Sequence, residues 1–231
     1  MKGAPDFNRL ARLYRWMEFF TFGPFLAMTR GTFVGRLADR RRALVLGDGD
    51  GRFTARLLRA NTAVTVDAVD GSEAMLSALM RRAGADADRV STQLEDIRAW
   101  RASDAGLREP YDLIATHFVL DCLTTEEIER LAERVLAAAK PGALWVVSEF
   151  AVPAGWFGRL VAGPIVAGLY FSFGMLTGLA VRALPDYGGA LHGAGFQLLE
   201  RRERLGGLLV GQLWGTSGAI PRFSDRFEKA D

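Results

Sequence analysis

The sequence predicts an α/β fold, a mostly parallel sheet covered by helices on both faces and closed by an antiparallel strand pair. Three observations carry that prediction. From residue 43 to residue 150, short apolar runs alternate with segments of helical spacing, the pattern that winds a parallel sheet. The first of these runs, ALVLG, is continuous and ends in glycines, as befits a buried strand. Near the end of the chain, FQLLERRERL and LLVGQLWG flank Gly206-Gly207, which most simply makes a hairpin.

Each element has its own justification. Residues 7–20 read as a helix, with Phe7, Leu10, Leu13, Tyr14, Met17 and Phe20 on one face and Arg9, Arg12, Arg15 and Glu18 between them. A less regular segment runs from Phe22 to Phe33, and Arg40, Arg41 and Arg42 form a solvated run before the sheet begins. ALVLG at 43–47 is the first strand and RFTARLLRA at 52–60 the helix after it. VTVDAVD at 64–70 is the second strand, and SEAMLSALMRRA at 72–83 its helix, capped by Ser72. Strands follow at 89–96 and 111–118, with a short helix expected near 98–107. The helix over 124–139 is capped by Thr124 or Thr125, has Glu126 and Glu127 in its first turn, and is stopped by Lys140, Pro141 and Gly142. ALWVVSEF at 143–150 is the fifth strand, and 184–195 suits a short helix before the closing pair. Four regions result: an N-terminal helical cap over 1–42, a nucleotide-binding half over 43–150, an apolar insertion over 151–183, and a closing helix and strand pair over 184–231.

Composition excludes several functions. The chain has 231 residues, 49% of them hydrophobic, enough for a sizeable core. One cysteine forbids an internal disulfide, and two histidines rule out a three-histidine metal centre, so no metal is expected. A net charge of +2 is not the field of a dedicated nucleic-acid binder. Residues 1–20 lack the shape of a signal peptide, and a cytoplasmic location follows as the expectation. Residues 160–181 carry no charge and are long enough to cross a bilayer. If 196–215 completes the same sheet, both ends of that stretch lie on one side of any membrane, so a lid or a peripheral membrane contact is the better expectation.

The glycine loop carries the chemistry. Gly47, Gly49 and Gly51 stand between the first strand and its helix, where missing side chains let a ligand approach the backbone. Asp70 ends the second strand, and a carboxylate there can accept both hydroxyls of a ribose. Asp48 and Asp50 within the loop would repel a pyrophosphate, and no Gly-Lys-Ser/Thr follows. A cofactor with adenosine and no phosphate fits these charges better. Asp96 ends the third strand beside Ile97. An acid there can accept from an exocyclic amine while its apolar neighbour lies on the base.

Taken together, LVLGDGDGRF, VDAVDGSEAML, QLEDIRAW and YDLIATHFVLDCLTTEEIERLAERVLAAAKPGALWVVSEF resemble, in order and in separation, the class I S-adenosylmethionine-dependent methyltransferases. The resemblance covers about 43–150 well and 184–215 moderately. It implies a seven-stranded, mostly parallel, Rossmann-like sheet with its last strand antiparallel, and S-adenosyl-L-methionine as cofactor. Carried over by position, Gly47, Gly49 and Gly51 border the methionine part, with Asp48 offering charge to the sulfonium. Asp70, with Gly71 beside it, meets the ribose. Asp96 and Ile97 meet adenine, and the backbone near Thr116 faces the amino group and sulfonium. Two positions depart from the pattern: Val45 stands where the family usually has an acid, and Asp48 where a small residue is common.

For the acceptor, no Asn/Asp-Pro-Pro-aromatic motif follows the fourth strand, and Cys122 lacks a preceding proline, which disfavours adenine, amide and cytosine acceptors. His117 is the candidate general base, since a neutral imidazole can deprotonate a phenol or enol near neutral pH. Asp121 can orient it or bind substrate, and Tyr187 and His192 are weaker candidates. Tyr14, Trp16, Phe19, Phe20 and Phe22, with Trp156, Phe157, Tyr170, Phe171 and Phe173, suggest an apolar pocket or a bilayer-docking face. A loose resemblance of the N-terminal segment to the branch acting on ubiquinone and menaquinone precursors points the same way, to C- or O-methylation of a hydrophobic, aromatic or quinone-like small molecule. The competing readings are a nucleic-acid or protein methyltransferase and a non-catalytic S-adenosylmethionine-binding protein.

Overall fold

The computed structural model describes residues 23–102, 109–153, 155–156, 158–164 and 184–218. The expected helix over 7–20 and most of the uncharged stretch at 160–181 lie outside the described residues. Among the described residues no helix is long and apolar enough to cross a membrane.

The elements run α1 (Gly23–Arg30), β1 (Arg42–Leu46), α2 (Arg52–Ala60), β2 (Thr65–Asp70), α3 (Glu73–Ala83), β3 (Val90–Leu94), β4 (Tyr111–His117), α4 (Thr125–Ala138), β5 (Ala139–Phe150), α5 (Tyr187–Gly193), β6 (Gln197–Arg204) and β7 (Leu209–Gly215). They build a seven-stranded sheet in the order β3-β2-β1-β4-β5-β7-β6. The first five strands are parallel, and β7 runs antiparallel to both β5 and β6. This is the sheet the sequence predicts, a Rossmann-like fold in which only the last strand, β7, is reversed.

Alternation along the strands divides the core in two. Leu44, Leu46, Ile114, Trp145 and Val147 face α4 and α5, where Ile128, Leu131, Val135, Leu191 and Phe196 meet them. Ala43, Val45, Leu113, Ala115 and Val146 face the opposite way, onto Phe53, Leu57 and Leu58 of α2 and Leu79 of α3. Strands β1, β4 and β7 are therefore buried along almost their whole length. The two edges differ from them. Beyond Val90 the residues of β3 are exposed, and β6 carries Glu200, Arg201, Arg202 and Glu203, charges that blunt an open edge.

Local signals explain the helix starts. Thr124 and Glu127 close a reciprocal cap on α4, with Thr124 Oγ1 accepting from the Glu127 amide at 3.2 Å and Glu127 Oε2 from the Thr124 amide at 2.9 Å. Ser72 caps α3 through the Met75 amide. Two boundaries differ from expectation. Strand β5 begins at Ala139 and takes in Lys140, Pro141 and Gly142, with its register shifting between Tyr111 and Leu113 of β4. Proline cannot donate to the ladder, and regular pairing resumes at Leu113 opposite Leu144. The described part of the helix expected near 98–107 is a turn, in which the Ala99 and Trp100 amides donate to the Asp96 carbonyl. Trp100 closes over the core there, 2% exposed. Residues 103–108 of that expectation lie outside the described residues.

Candidate active site

The chain leaves β1 toward β2 on one side and returns to β4 on the other. The crevice at the carboxyl ends of β1 and β4 is thus a topological switch point, the place where ligands bind in such sheets. Two loops meet across it. A side-chain carbon placed on Gly47 would stand 2.5 Å from Val119 Cγ2, so only glycine lets the loops after β1 and β4 approach this closely.

Gly47, Gly49 and Gly51 all hold positive φ, at 69°, 59° and 79°, a conformation other residues adopt at a cost. Each loop acid has a defined task. Asp48 turns back onto α2, its oxygens accepting from the Phe53 amide at 3.2 Å and the Thr54 amide at 2.8 Å. It serves as the cap that Gly51, which starts the helix, cannot supply. Burial raises its pKa, and the amides of α2 with the charge of Arg30 work against that rise. Asp50 points outward, to Arg52 at 3.2 Å and Arg82 at 2.6 Å.

Asp70 sits where the carboxyl end of β2 reaches the loop. Its Oδ2 accepts from the Gly49 amide at 3.2 Å and its Oδ1 from the Ser72 amide at 2.9 Å. Burial pushes its pKa up to about 6, the two amides oppose that shift, and the charge of Asp48 adds to it. Gly71 beside it is exposed. On the same side, a carbon added to Gly49 would meet only Met75, with Sδ at 3.8 Å. The carboxylate and the bare backbone thus border one open face. Asp96 is exposed and accepts from the Arg98 amide at 2.9 Å and from Arg98 Nε at 3.0 Å. Ile97 is 7% exposed and packs with Trp100 and Leu120 in the core, so that most of its side chain faces inward. Thr116 pairs with Leu46 of β1, and its hydroxyl receives the Trp145 indole N–H at 3.0 Å.

The two candidate catalytic groups lie differently. His117 is 3% exposed, its ring 4.3 Å from that of Phe53. Its Nδ1 lies 2.9 Å from Ser148 Oγ, which donates to the Thr29 carbonyl at 3.4 Å. That chain assigns the ring proton to Nδ1 and leaves Nε2 an enclosed lone pair with no partner among the described residues. Burial, then Arg30, holds the imidazole pKa well below its ordinary value, so the ring is neutral. Asp121, in the turn Leu120–Cys122, is partly exposed. Burial pushes its pKa up to about 6.

One buried acid at the site is missing from the sequence reading. Glu149, on β5, is wholly buried. Its Oε1 accepts from the Val119 and Leu120 amides at 3.1 and 2.9 Å, which fixes the loop after β4. Its Oε2 has no partner among the described residues. Burial, then the charge of Asp121, raises its pKa well above the carboxylate range. The available signal is an acid inside the apolar run ALWVVSEF, since an unpaired acid is not buried without a task. Tyr187 stands near this pair, its pKa raised by burial and then by Glu149. Cys122 Sγ donates to Asp121 at 3.5 Å, and burial and the neighbouring acids raise its pKa, which makes it an inert thiol. His192, in the last turn of α5, is exposed.

Residues 44–145 match a family model described as a methyltransferase domain. No curated protein matches the chain. Among solved structures, an O-methyltransferase family protein from Burkholderia thailandensis superposes with a TM-score of 0.68 at 16% identity, over 92% of this chain and 61% of the other. Mitomycin 7-O-methyltransferase superposes at 0.65 with 14% identity, over 83% of this chain and 54% of the other. Human N-acetylserotonin methyltransferase, solved with S-adenosylmethionine, superposes at 0.57 with 18% identity, over 84% and 55%. The chain thus spans little more than half the length of these structures.

Proposed function

We propose that this chain, whose residues 44–145 match a methyltransferase-domain family model, is a class I S-adenosylmethionine-dependent enzyme that transfers a methyl group to a hydrophobic small molecule bearing a ring hydroxyl or an activated carbon. The observation that carries the reading is the open face bordered by the Asp70 carboxylate and the positive-φ backbone of Gly49. It fits an adenosine-bearing cation. The carboxylate accepts ribose hydroxyls, the bare backbone admits the methionine part, and among the described residues no lysine lies in the glycine loop to hold a phosphate. When bound, S-adenosylmethionine supplies an activated methyl group. The work left to the chain is to align the acceptor and remove its proton.

Asp121 is our assignment for the base, because it is partly exposed whereas His117 is enclosed. An imidazole kept neutral by burial gains little by taking a proton, so His117 acts in this reading as a hydrogen-bonded support for β5. Glu149 steadies the loop that carries Asp121. Apolar side chains near the carboxyl ends of β4 and β5 support the choice of acceptor, with Phe118 and Phe150 packed at a ring separation of 5.3 Å and Trp156 and Leu160 strongly exposed just beyond β5. The latter pair is suited to meet an apolar substrate at the surface of the membrane that holds it. Relatives in fold that act on ring-bearing small molecules are consistent with this acceptor class.

Calorimetric titration with S-adenosylmethionine and S-adenosylhomocysteine, with NAD as control, tests the cofactor. Both sulfur nucleotides bind, and Asp70→Ala weakens them by roughly a hundredfold, the loss of two hydrogen bonds to a charged group. Methyl uptake by a panel of phenols and quinols, lost in Asp121→Asn while cofactor binding persists, tests the base. Absence of nucleotide binding, or binding of NAD instead, overturns the proposal.

A further inference from the structure

Arg52, Arg56 and Arg59 recur at helical spacing along α2 and share one face. Over that face lies a shallow basin of about 230 Å³, lined by Ala27, Arg30, Arg52, Arg56, Arg59 and Arg82. We propose that this basin is a binding site for a phosphate-bearing anion.

The arginines reach it from three helices, Arg30 from α1 and Arg82 from α3 joining those of α2. A solvated charge run lies on one element, whereas these guanidiniums converge. Several are held in place. Arg82 donates to the Asp50 carbonyl at 2.8 Å and to its carboxylate at 2.6 Å, and Arg52 to the same carboxylate at 3.2 Å. Arg56 donates to the Ala27 carbonyl at 3.3 Å. Arg30 is 7% exposed, its guanidinium 5.0 Å above the Phe118 ring. Arg52 and Arg82 pair with Asp50, and Arg56 and Arg59 bring further positive charge to the same basin, a field that favours an incoming anion. The planar guanidinium fork matches phosphate oxygens in pairs, and donors already oriented lose little freedom on binding.

Arg30 reaches this basin from beside Phe118, whereas Arg52 and Arg82 reach it from the Asp50 side of the glycine loop. Asp50 faces it from the outer side of the glycine loop, whereas Asp70 and the open side of Gly49 face inward. A basin of this charge would also repel a sulfonium. Its size suits one or two phosphate groups and not the long track of a nucleic-acid backbone. The inference does not depend on the methyl-transfer reading.

The test uses the full chain without cofactor. One arm titrates inorganic pyrophosphate by calorimetry. The other sediments the protein with phosphatidylcholine vesicles, with and without phosphatidylglycerol. The variant Arg56→Gln/Arg59→Gln leaves the Asp50 pairs and the buried Arg30 in place, and Arg201→Gln/Arg202→Gln on β6 controls for net charge. Circular dichroism verifies that both are folded. We expect saturable binding that falls with salt, weakened about tenfold or more by the α2 variant and unchanged by the control. Loss in the pyrophosphate arm identifies a soluble phosphate as the ligand, and loss confined to the anionic vesicles identifies a lipid headgroup. Absence of binding in both arms, or equal weakening by the two variants, overturns the proposal.

Discussion

Gly49 and Gly51 occupy similar backbone conformations two residues apart, yet the structure assigns them different sensitivities to alanine. Both hold φ in the left-handed region, at 59° and 79°, so alanine costs about 1–2 kcal/mol at either from backbone strain alone. They diverge in what the new methyl meets. At Gly49 it finds only Met75, with Sδ at 3.8 Å, an ordinary contact with a flexible side chain. At Gly51 it would stand 2.6 Å from Leu79 Cγ and 2.8 Å from Leu79 Cα. Leu79 is 2% exposed within the core of α2 and α3, and its Cα moves only if α3 moves. Overpacking of that kind costs a further 1–3 kcal/mol or so. Gly51→Ala is therefore destabilised by about 2–5 kcal/mol and Gly49→Ala by about 1–2. For a chain of this size each kcal/mol lowers Tm by about 2–4 °C. Urea and thermal unfolding followed by circular dichroism measure both. The binding order is the reverse of the stability order. The Gly49 methyl projects into the proposed cofactor face, so Gly49→Ala loses S-adenosylhomocysteine affinity out of proportion to its small stability loss. If Gly51→Ala proves no less stable than Gly49→Ala, or Gly49→Ala binds as the parent does, the reading of this loop is wrong.

Other perturbations have equally defined outcomes. Glu149 has a folded pKa well above its ordinary 4.5, so the folded state holds the proton longer and stability falls as pH rises from about 4.5 through the folded value. Glu149→Gln imitates the protonated acid. Its stability matches the parent near pH 4–5 and exceeds it increasingly at higher pH, by at most about 1.4 kcal/mol per unit, and parallel unfolding curves across pH would expose an error. Asp70 titrates at about 6, so cofactor affinity weakens as pH drops below that value, while Asp70→Asn binds weakly with a flattened pH dependence in the same calorimetry. Asp48→Ala uncovers the Phe53 and Thr54 amides and costs about 1–2 kcal/mol, read from the urea midpoint. Thr124→Ala removes one half of the cap on α4 and costs about 1 kcal/mol by the same assay.

Much of the fold is legible along the chain, because its signals are local. Helix α2 over 52–60 needs only its apolar spacing, and α3 and α4 only their Ser72 and Thr124 caps. Strand β1 announces its burial by the unbroken apolar run ALVL. Gly206-Gly207 marks the reversal into the last strand. The start of β5 is less legible, because Pro141 and Gly142 are breakers by local rules and are carried into the strand by pairing with β4 and by the Gly142 amide bonded to Ser217.

The sequence by itself determined the order of the elements, the glycine loop and the acid at the end of β2, since each depends on a residue and its near neighbours. Tertiary structure decided which way the polar groups turn. Asp48 and Asp50 are separated by a single residue, yet one caps α2 from within and the other meets Arg82 outside. His117 ends β4 and Asp121 follows four residues later, yet β5 and Phe53 enclose the first and leave the second partly open. Glu149 joins the site only because the sheet places it beside the loop after β4. Burial and charge depend on atoms that are distant in the chain, so the pKa values and directions that define this site belong to the packed molecule.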